Sequence, residues 1–523
     1  MFKPIVIEKT FDYTEKILEK VWAFNPRYQD DANNYFETGH VDGTFFIGGK
    51  NGVFLNEIKN IVKSAREMVC ICSFLIASED FLNIILEAVV SGIRVYIITA
   101  IDDQLSRLPD DGDEFTRKKY EGALDLSQKL KDVVLLRSAS HIHSKFIITD
   151  PRDNSNSKAI ILTPNLTKEA FEHAEIGIKI SDPVVIEELY YHFCNGFWYE
   201  CERELQETGY RPVSAFKNPY HHINSVLITS KEQKTLKNAI LNLIDNADNE
   251  IVLATYGIQD DTDIFKALLR AVDKGNKLTL ITRLRGKIMA AVIELGKKGA
   301  RVVADNSLHA KFILCTVKGL KTGIVMTANI EKTGIDTGYE TGYALDENDA
   351  ARLEIIARQW IDNFPWQFKY KTTLKQVSKK ILIIDQSSLK FTEIPVEDIQ
   401  AIDNDVYSKN FDEMTNYTIE APKQDTSKFV KKIKRKVTVH PPALPKDAVL
   451  FDVEKEIEKI SNQAKNQKRP VNIPAEFNAM RNVRLKIYRS NKKYYVLVDD
   501  AKRAKDAWEL AESIGAVVVV EEQ

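Results

Sequence analysis

The hydrophobic and polar positions of this chain fall into two long stretches that follow one pattern. In the first, MVCICSFLI is a continuous apolar run of strand length, SEDFLNIILEAVVSG carries apolar residues at helical spacing and ends at Gly92, and IRVYIITA is a second apolar run. In the second, EIVLATYGI, DDTDIFKALLRAVDKG ending at Gly275, and KLTLITRL repeat that order. Continuous apolar runs alternating with amphipathic helices predict strands buried on both faces, hence an α/β sheet covered by helices. An internal duplication is therefore the first expectation.

The polar positions keep the same register. His143-Ser-Lys145-Phe-Ile-Ile-Thr-Asp150 matches His309-Ala-Lys311-Phe-Ile-Leu-Cys-Thr316, ILTPNLT matches IVMTANI, and AEIGI matches YETGYAL. The histidines lie 166 residues apart, Asn165 and Asn329 lie 164 apart, and Glu175 and Glu340 lie 165 apart. One His-x-Lys triplet would carry little weight, and the repetition of the whole polar set is what makes it a signal. Trp198 and Trp360 close the two copies and are expected in the core. The first copy is 17 residues longer between its glycine and its histidine. That surplus is assigned to IDDQLSRLPDDGDEF, an acidic surface loop able to gate access.

Alternate residues of a strand leave the same face, so each histidine is expected beside its lysine. If the copies meet about a pseudo-twofold axis, two histidines, two lysines and two asparagines converge on one pocket. Lysines and asparagine amides suit the non-bridging oxygens of a phosphodiester. One histidine can attack phosphorus while the other protonates the leaving oxygen and then activates water. Glu175 and Glu340 are the candidates for fixing the imidazole tautomers.

These residues resemble the phospholipase D superfamily, whose signature is H-x-K-x4-D, then a small-residue-plus-Asn segment and a downstream Glu. The resemblance covers roughly residues 50 to 366. It implies two duplicated α/β/α halves with mixed sheets packed side by side, and phosphohistidine chemistry with no metal or other cofactor. By position it makes His143 and His309 the nucleophile and the general acid/base, puts Lys145, Asn165, Lys311 and Asn329 on phosphate, and has Glu175 and Glu340 orient the imidazoles. His143 is expected to be the nucleophile, because its motif is the intact one. Where the family has Gly-Ser before the asparagine, this chain has Thr163-Pro164 and Thr327-Ala328, and Pro164 lacks an amide hydrogen. Thr316 replaces the motif aspartate in the second copy, a position whose aspartate, Asp150 in the first, the resemblance implies is structural.

Composition refines the picture. A chain of 523 residues exceeds one ordinary core. Four regions are expected: residues 1–215 and 216–370 as the two halves, 371–440 as an acidic then basic linker, and 441–523 as a small basic α/β domain. No apolar run approaches membrane-spanning length and the start is interrupted by charge, which predicts a cytoplasmic protein. The five cysteines form no C-x-x-C pair and are expected as reduced, mostly buried thiols. FFIGGKNGVF lacks phosphate-loop spacing and is expected as a hairpin turn between two strands. His141, His173, His221 and His222 have no repeat partner and are expected to be ordinary residues.

A net charge of -2 hides an asymmetry. Residues 385–425 hold 10 acids against 3 bases, whereas 428–505 hold 21 bases against 8 acids. The last region reads as a helix near 452–466, strands near 483–489 and 493–498, a helix near 501–514 and a final strand. Lys431, Lys432, Lys434, Arg435 and Lys436, with Arg484, Lys486 and Tyr488 on one strand face, are the expected contacts to nucleic acid, DNA ahead of RNA. The function expected is a metal-independent nuclease whose residues 428–523 add nucleic-acid affinity; a homodimer or a partner protein docked through the last domain is the competing account of that region. The alternatives are a phospholipase D or phosphatidyltransferase, disfavoured by the lack of an export signal and of an amphipathic membrane helix, and a nucleic-acid-binding scaffold with a partly degenerate site.

Overall fold

The computed structural model describes residues 7–9, 17–28, 39–100, 121–213, 221–396, 437–439, 443–498 and 503–519, apart from 123, 127, 207, 208, 378 and 386. They fall into two compact units, residues 17–429 and residues 1–16 with 430–523.

In the larger unit each copy of the repeat builds a sheet of the same strand order. In the first, Leu135–Ser138, Arg94–Thr99, Met68–Cys72, Phe146–Thr149, Lys158–Leu162 and Ile176–Ile180 lie side by side. In the second the order is Arg301–Ala304, Lys277–Thr282, Glu250–Ala254, Phe312–Val317, Leu320–Met326 and Glu340–Leu345. The first three strands of each set are parallel and the others antiparallel. The expected fold class, duplicated α/β/α halves with mixed sheets, is what the structure shows.

The helices form where the apolar spacing put them. Glu79–Val90 buries Phe81, Leu82, Ile84, Ile85 and Ala88, and the Ser78 side chain caps it by accepting from the Phe81 amide. Thr262 caps Asp263–Asp273 in the same way through the Phe265 amide. Such a cap contributes about 1 kcal/mol. These helices pack on the outer face of their own sheet, in separate clusters. The inner faces share one cluster, into which Pro183–Asn195 buries Leu189 and Phe193 and Glu347–Asn363 buries Leu353, Ile356 and Trp360. Fully burying a side chain of this size contributes roughly 1.5–3 kcal/mol, so the halves are held together by a core neither owns alone.

Three expectations need correction. Ile17–Phe24, assigned to the first half, pairs instead with Trp366–Thr373 and Lys380–Ile384 in the sheet of the second. Its side chains explain why: Trp22 packs edge-on against Phe368 at 5.4 Å and Phe24 against Trp366 at 5.2 Å. Lys380–Ile384 and Phe391–Pro395, placed in the linker, form a hairpin at the edge of that same sheet. Finally, Phe45–Ile47 is a strand but Val53–Lys63 is a helix, because Phe54, Ile58, Ile61 and Val62 recur at helical rather than alternating spacing. Gly52, at φ 75, turns the chain between them.

In the smaller unit Ile7–Lys9 pairs with Val437–Val439. Val449–Leu450, Ile487–Ser490, Lys493–Leu497 and Val517–Val519 form a four-stranded sheet, with helices Val453–Asn466, Ala475–Asn482 and Ala504–Ile514. Phe477, Met480, Val496 and Leu510 are in its core. The basic strand begins at Ile487 rather than near 483, and the helix Ala475–Asn482 was not anticipated. The acidic stretch 101–115 and the basic residues Lys431, Lys432, Lys434, Arg435 and Lys436 lie outside the described residues.

Candidate active site

His143 and Lys145 sit in the extended stretch just before Phe146–Thr149, not on the strand itself, and His309 and Lys311 precede Phe312–Val317 in the same way. These stretches stitch the halves together. Ile142 bridges to Tyr339 and Ala174 to Leu308. The amide of His143 donates to the Tyr339 carbonyl at 3.0 Å, and that of His309 to the Ala174 carbonyl at 3.1 Å.

Because Glu340 follows Tyr339 and Glu175 follows Ala174, this stitching delivers each glutamate to the histidine of the other half. His143 Nδ1 lies 2.7 Å from Glu340 Oε1, and His309 Nδ1 lies 2.5 Å from Glu175 Oε1. Each glutamate is held in turn by a threonine of its own half. Thr163 donates to Glu175 Oε2 at 2.5 Å, and Thr327 donates to Glu340 Oε2. Two matched chains, Thr–Glu–His, thus run across the interface in opposite directions. Thr163 and Thr327 are the residues that looked like departures from the family pattern, and their match in both copies was the available signal for their role.

The lysines are fully buried. Lys145 Nζ donates to the His143 carbonyl and Lys311 Nζ to the His309 carbonyl at 2.5 Å. Burial pushes Lys145 down to about 7 and Lys311 down to about 8. Charges kept away from water in this way are costly and mark functional sites. Phe74 and Tyr256, equivalent in the repeat, set a ring edge-on to His143 at 5.4 Å and to His309 at 5.0 Å. Asn165 and Asn329 each leave a buried Oδ1 with no hydrogen-bond partner among the described residues.

The two histidine–glutamate pairs are geometrically alike but hold protons differently. Glu340 titrates below the ordinary carboxylate range: burial opposes this, but the charge and hydrogen bond of His143 and the charge of Lys145 outweigh it. Burial pushes Glu175 up to about 7. Burial lowers both histidines, His309 well below its usual value with the Lys311 charge as the next cause. Burial is the main cause at both groups: it lowers His309, helped by the charge of Lys311, whose Nζ lies 3.2 Å from His309 Nδ1, and at Glu175 it outweighs that same charge and keeps a proton on the carboxyl.

Asp150 lies away from this centre. Its carboxylate accepts from the amides of Arg66, Glu67 and Met68 at 2.7, 2.8 and 3.0 Å and from Asn156 Nδ2 at 2.6 Å, fixing the turn into Met68–Cys72. In the second half the Thr316 hydroxyl has no hydrogen-bond partner among the described residues, and Asp248 ties the corresponding turn by accepting from the Lys318 amide at 2.6 Å. Trp360 is buried and Trp198 is half-buried beside Arg137. His173, expected to be ordinary, lies close enough to lower both His309 and Glu175 through its charge. His141 is held by the buried Glu200 at 2.8 Å. In the smaller unit Arg484 and Lys486 are exposed and precede the strand, and Tyr488 pairs with Tyr495 across it.

A duplicated fold carrying two histidines, two buried lysines and two glutamates at the seam defines a phosphodiester-acting class of enzyme. The family model described as "Cardiolipin synthase, PLD-like domain" matches residues 58–198 and 240–364, just over half of the chain, and the protein belongs to the phospholipase D superfamily. No curated protein matches the sequence. Among solved structures, polyphosphate kinase from Porphyromonas gingivalis is similar at 14% identity over 59% of this chain, with a TM-score of 0.40. The match spans about half of that kinase, 48% of its chain. Nuc from Salmonella typhimurium, a phospholipase D family member, is similar at 20% identity over 27% of this chain and 97% of its own, with a TM-score of 0.25. Phosphatidylserine synthase from Haemophilus influenzae is similar at 11% identity over 72% of this chain and 97% of its own, with a TM-score of 0.43. No described helix is long and apolar enough to cross a membrane.

Proposed function

We propose that this protein is a nuclease that cleaves phosphodiester bonds through a covalent phosphohistidine on His143. The observation that carries the mechanism is the pair of crossed Thr–Glu–His chains beside buried lysines. An ionised Glu340 can only accept, so the His143 proton sits on Nδ1 and Nε2 keeps the lone pair a nucleophile needs. Burial holds a proton on Glu175 up to about 7, so below that pH the His309–Glu175 pair carries the additional proton and is suited to be the acid.

His143 Nε2 attacks phosphorus, the bond to the leaving oxygen breaks, and that oxygen takes a proton from the His309–Glu175 pair. A water that loses its proton to His309 then attacks the phosphohistidine, freeing His143 and the second product. Lys145 and Lys311 bind the non-bridging oxygens, and the side-chain amides of Asn165 and Asn329 add donors once turned towards phosphate.

Nucleic acid as the substrate is supported by the smaller unit, where exposed Arg484, Lys486, Lys492 and Lys493 flank, along the chain, the paired Tyr488 and Tyr495. The match to a cardiolipin synthase-type family favours a second reading, phosphatidyl transfer to an alcohol in place of water. Incubation with labelled DNA, RNA and phosphatidylcholine in EDTA separates the two. The proposal predicts cleavage of nucleic acid, DNA ahead of RNA, in the chelator. Release or exchange of the choline headgroup with intact nucleic acid would overturn it.

A further inference from the structure

Beside the catalytic centre the two halves also differ at the ends of two parallel strands. In the second half the parallel strands Glu250–Ala254 and Lys277–Thr282 end side by side, with Leu253 opposite Leu280 and Ala254 opposite Ile281. The Thr255 amide donates to the Ile281 carbonyl at 3.0 Å, and Thr282 Oγ1 donates to the Thr255 carbonyl at 2.9 Å. These bonds fix Tyr256 next to Arg283 and Arg285. The Tyr256 ring touches His309 with one edge, while the Arg285 guanidinium lies 4.0 Å over it and that of Arg283 lies 5.6 Å away. Both arginines are therefore one aromatic ring removed from a catalytic imidazole.

The first half has nothing comparable in sequence. Phe74 takes the place of Tyr256, Ala100 that of Arg283 and Asp102 that of Arg285. At these three equivalent positions only the second half carries positive charge, an asymmetry that a substrate with a direction can use and a symmetric one cannot.

The arginines are not consumed by structural ion pairs. Among the described residues Arg283 has no carboxylate within 4.0 Å, and Arg285 meets only Glu331, at 4.0 Å, the outer limit of a pair. Both side chains are half-buried, so their donors are held rather than waving in solvent. A planar guanidinium with five donors, stiffened by a ring beneath it, is suited to a phosphate, and bidentate pairing gives both affinity and geometry.

We infer that Arg283 and Arg285, braced by Tyr256, form a second phosphate subsite on the His309 side of the scissile bond. It takes the neighbouring phosphate of a polyanionic strand. This deepens the nuclease reading and rests on it for the identity of the substrate. A simple phospholipid, with one phosphodiester, would leave the subsite unused. Glu331 opposes the bound anion and keeps the arginine from closing on it too tightly.

The test is a binding measurement that does not depend on cleavage. Thymidine 5′-monophosphate and thymidine 3′,5′-bisphosphate are titrated calorimetrically into wild type, Arg283→Gln alone, the Arg283→Gln/Arg285→Gln double variant and Glu331→Gln, with melting temperatures measured alongside. Wild type should bind the bisphosphate at least about tenfold more tightly than the monophosphate, as expected for one added charge-assisted phosphate contact. That ratio should fall in the single variant, approach one in the double variant, and widen in Glu331→Gln. A ratio near one in wild type, or an undiminished ratio in folded Arg283→Gln, overturns the subsite. Should the ratio behave as expected while wild type fails to cut DNA or RNA, the nuclease reading falls and a site for a doubly phosphorylated ligand stands.

Discussion

Glu340→Gln and Glu175→Gln should fail at different steps, each copying the loss of the histidine in the opposite half. Glu340 is almost fully buried and meets His143 at 2.7 Å. A hydrogen bond to a charged group contributes about 1.5–3 kcal/mol, so replacing the carboxylate by an amide should slow attack by about ten- to 150-fold. Locking the imidazole in the wrong tautomer would raise the loss towards about 10⁴-fold. The assay is stopped-flow hydrolysis of a p-nitrophenyl phosphodiester, whose leaving group departs without a proton. His309→Ala and Glu175→Gln should then form the phosphoenzyme and stall, giving a burst of one equivalent of p-nitrophenolate. His143→Ala and Glu340→Gln should give no burst. If Glu175→Gln lost its burst along with His143→Ala while Glu340→Gln kept it, the crossed wiring would be wrong.

Three further outcomes are expected. Thr163→Val and Thr327→Val should each lower kcat by about tenfold through a misplaced glutamate, and serine at either position should restore most of it. As pH rises through about 7 to 8, Lys145, Lys311 and Glu175 lose protons that binding and leaving-group protonation require, so kcat/KM should fall there. A bound phosphodiester holds the lysines charged, and the limb in kcat should lie at higher pH; a kcat/KM profile flat from pH 6 to 9 would contradict this. Neutralising Arg484 and Lys486 together should weaken nucleic-acid binding and flatten its salt dependence, and Tyr488→Ala should weaken single strands more than duplex, both read by fluorescence anisotropy against salt.

Much of the centre was legible because duplication supplies its own register. His143 and His309, Lys145 and Lys311, and Glu175 and Glu340 stand out as repeated polar residues inside apolar runs that need none. Register alone, however, equates Glu175 with Glu340 and is silent on which histidine each one meets. The answer comes from the bridges Ile142 to Tyr339 and Ala174 to Leu308, which join segments with no sequence proximity. The same blindness hid Ile17–Phe24, whose partners Trp366–Thr373 lie at the far end of the larger unit. Thr163 and Thr327 were read against a family pattern, whereas their value lies in what their hydroxyls hold. Nothing in the sequence marks Tyr256 and Arg283, since only the paired strand termini bring Tyr256 to His309 and Arg283 to the Tyr256 ring.

The central claim, a phosphoryl group carried on His143, is open to direct chemical capture. Wild type is mixed for milliseconds with a substrate carrying phosphorus-32 at the scissile phosphate, quenched in alkali, digested and mapped by mass spectrometry. The account predicts base-stable, acid-labile label on the peptide containing His143, increased in His309→Ala with a p-nitrophenyl leaving group and absent in His143→Ala. Label on His309, or turnover with no labelled histidine at any time, would contradict it.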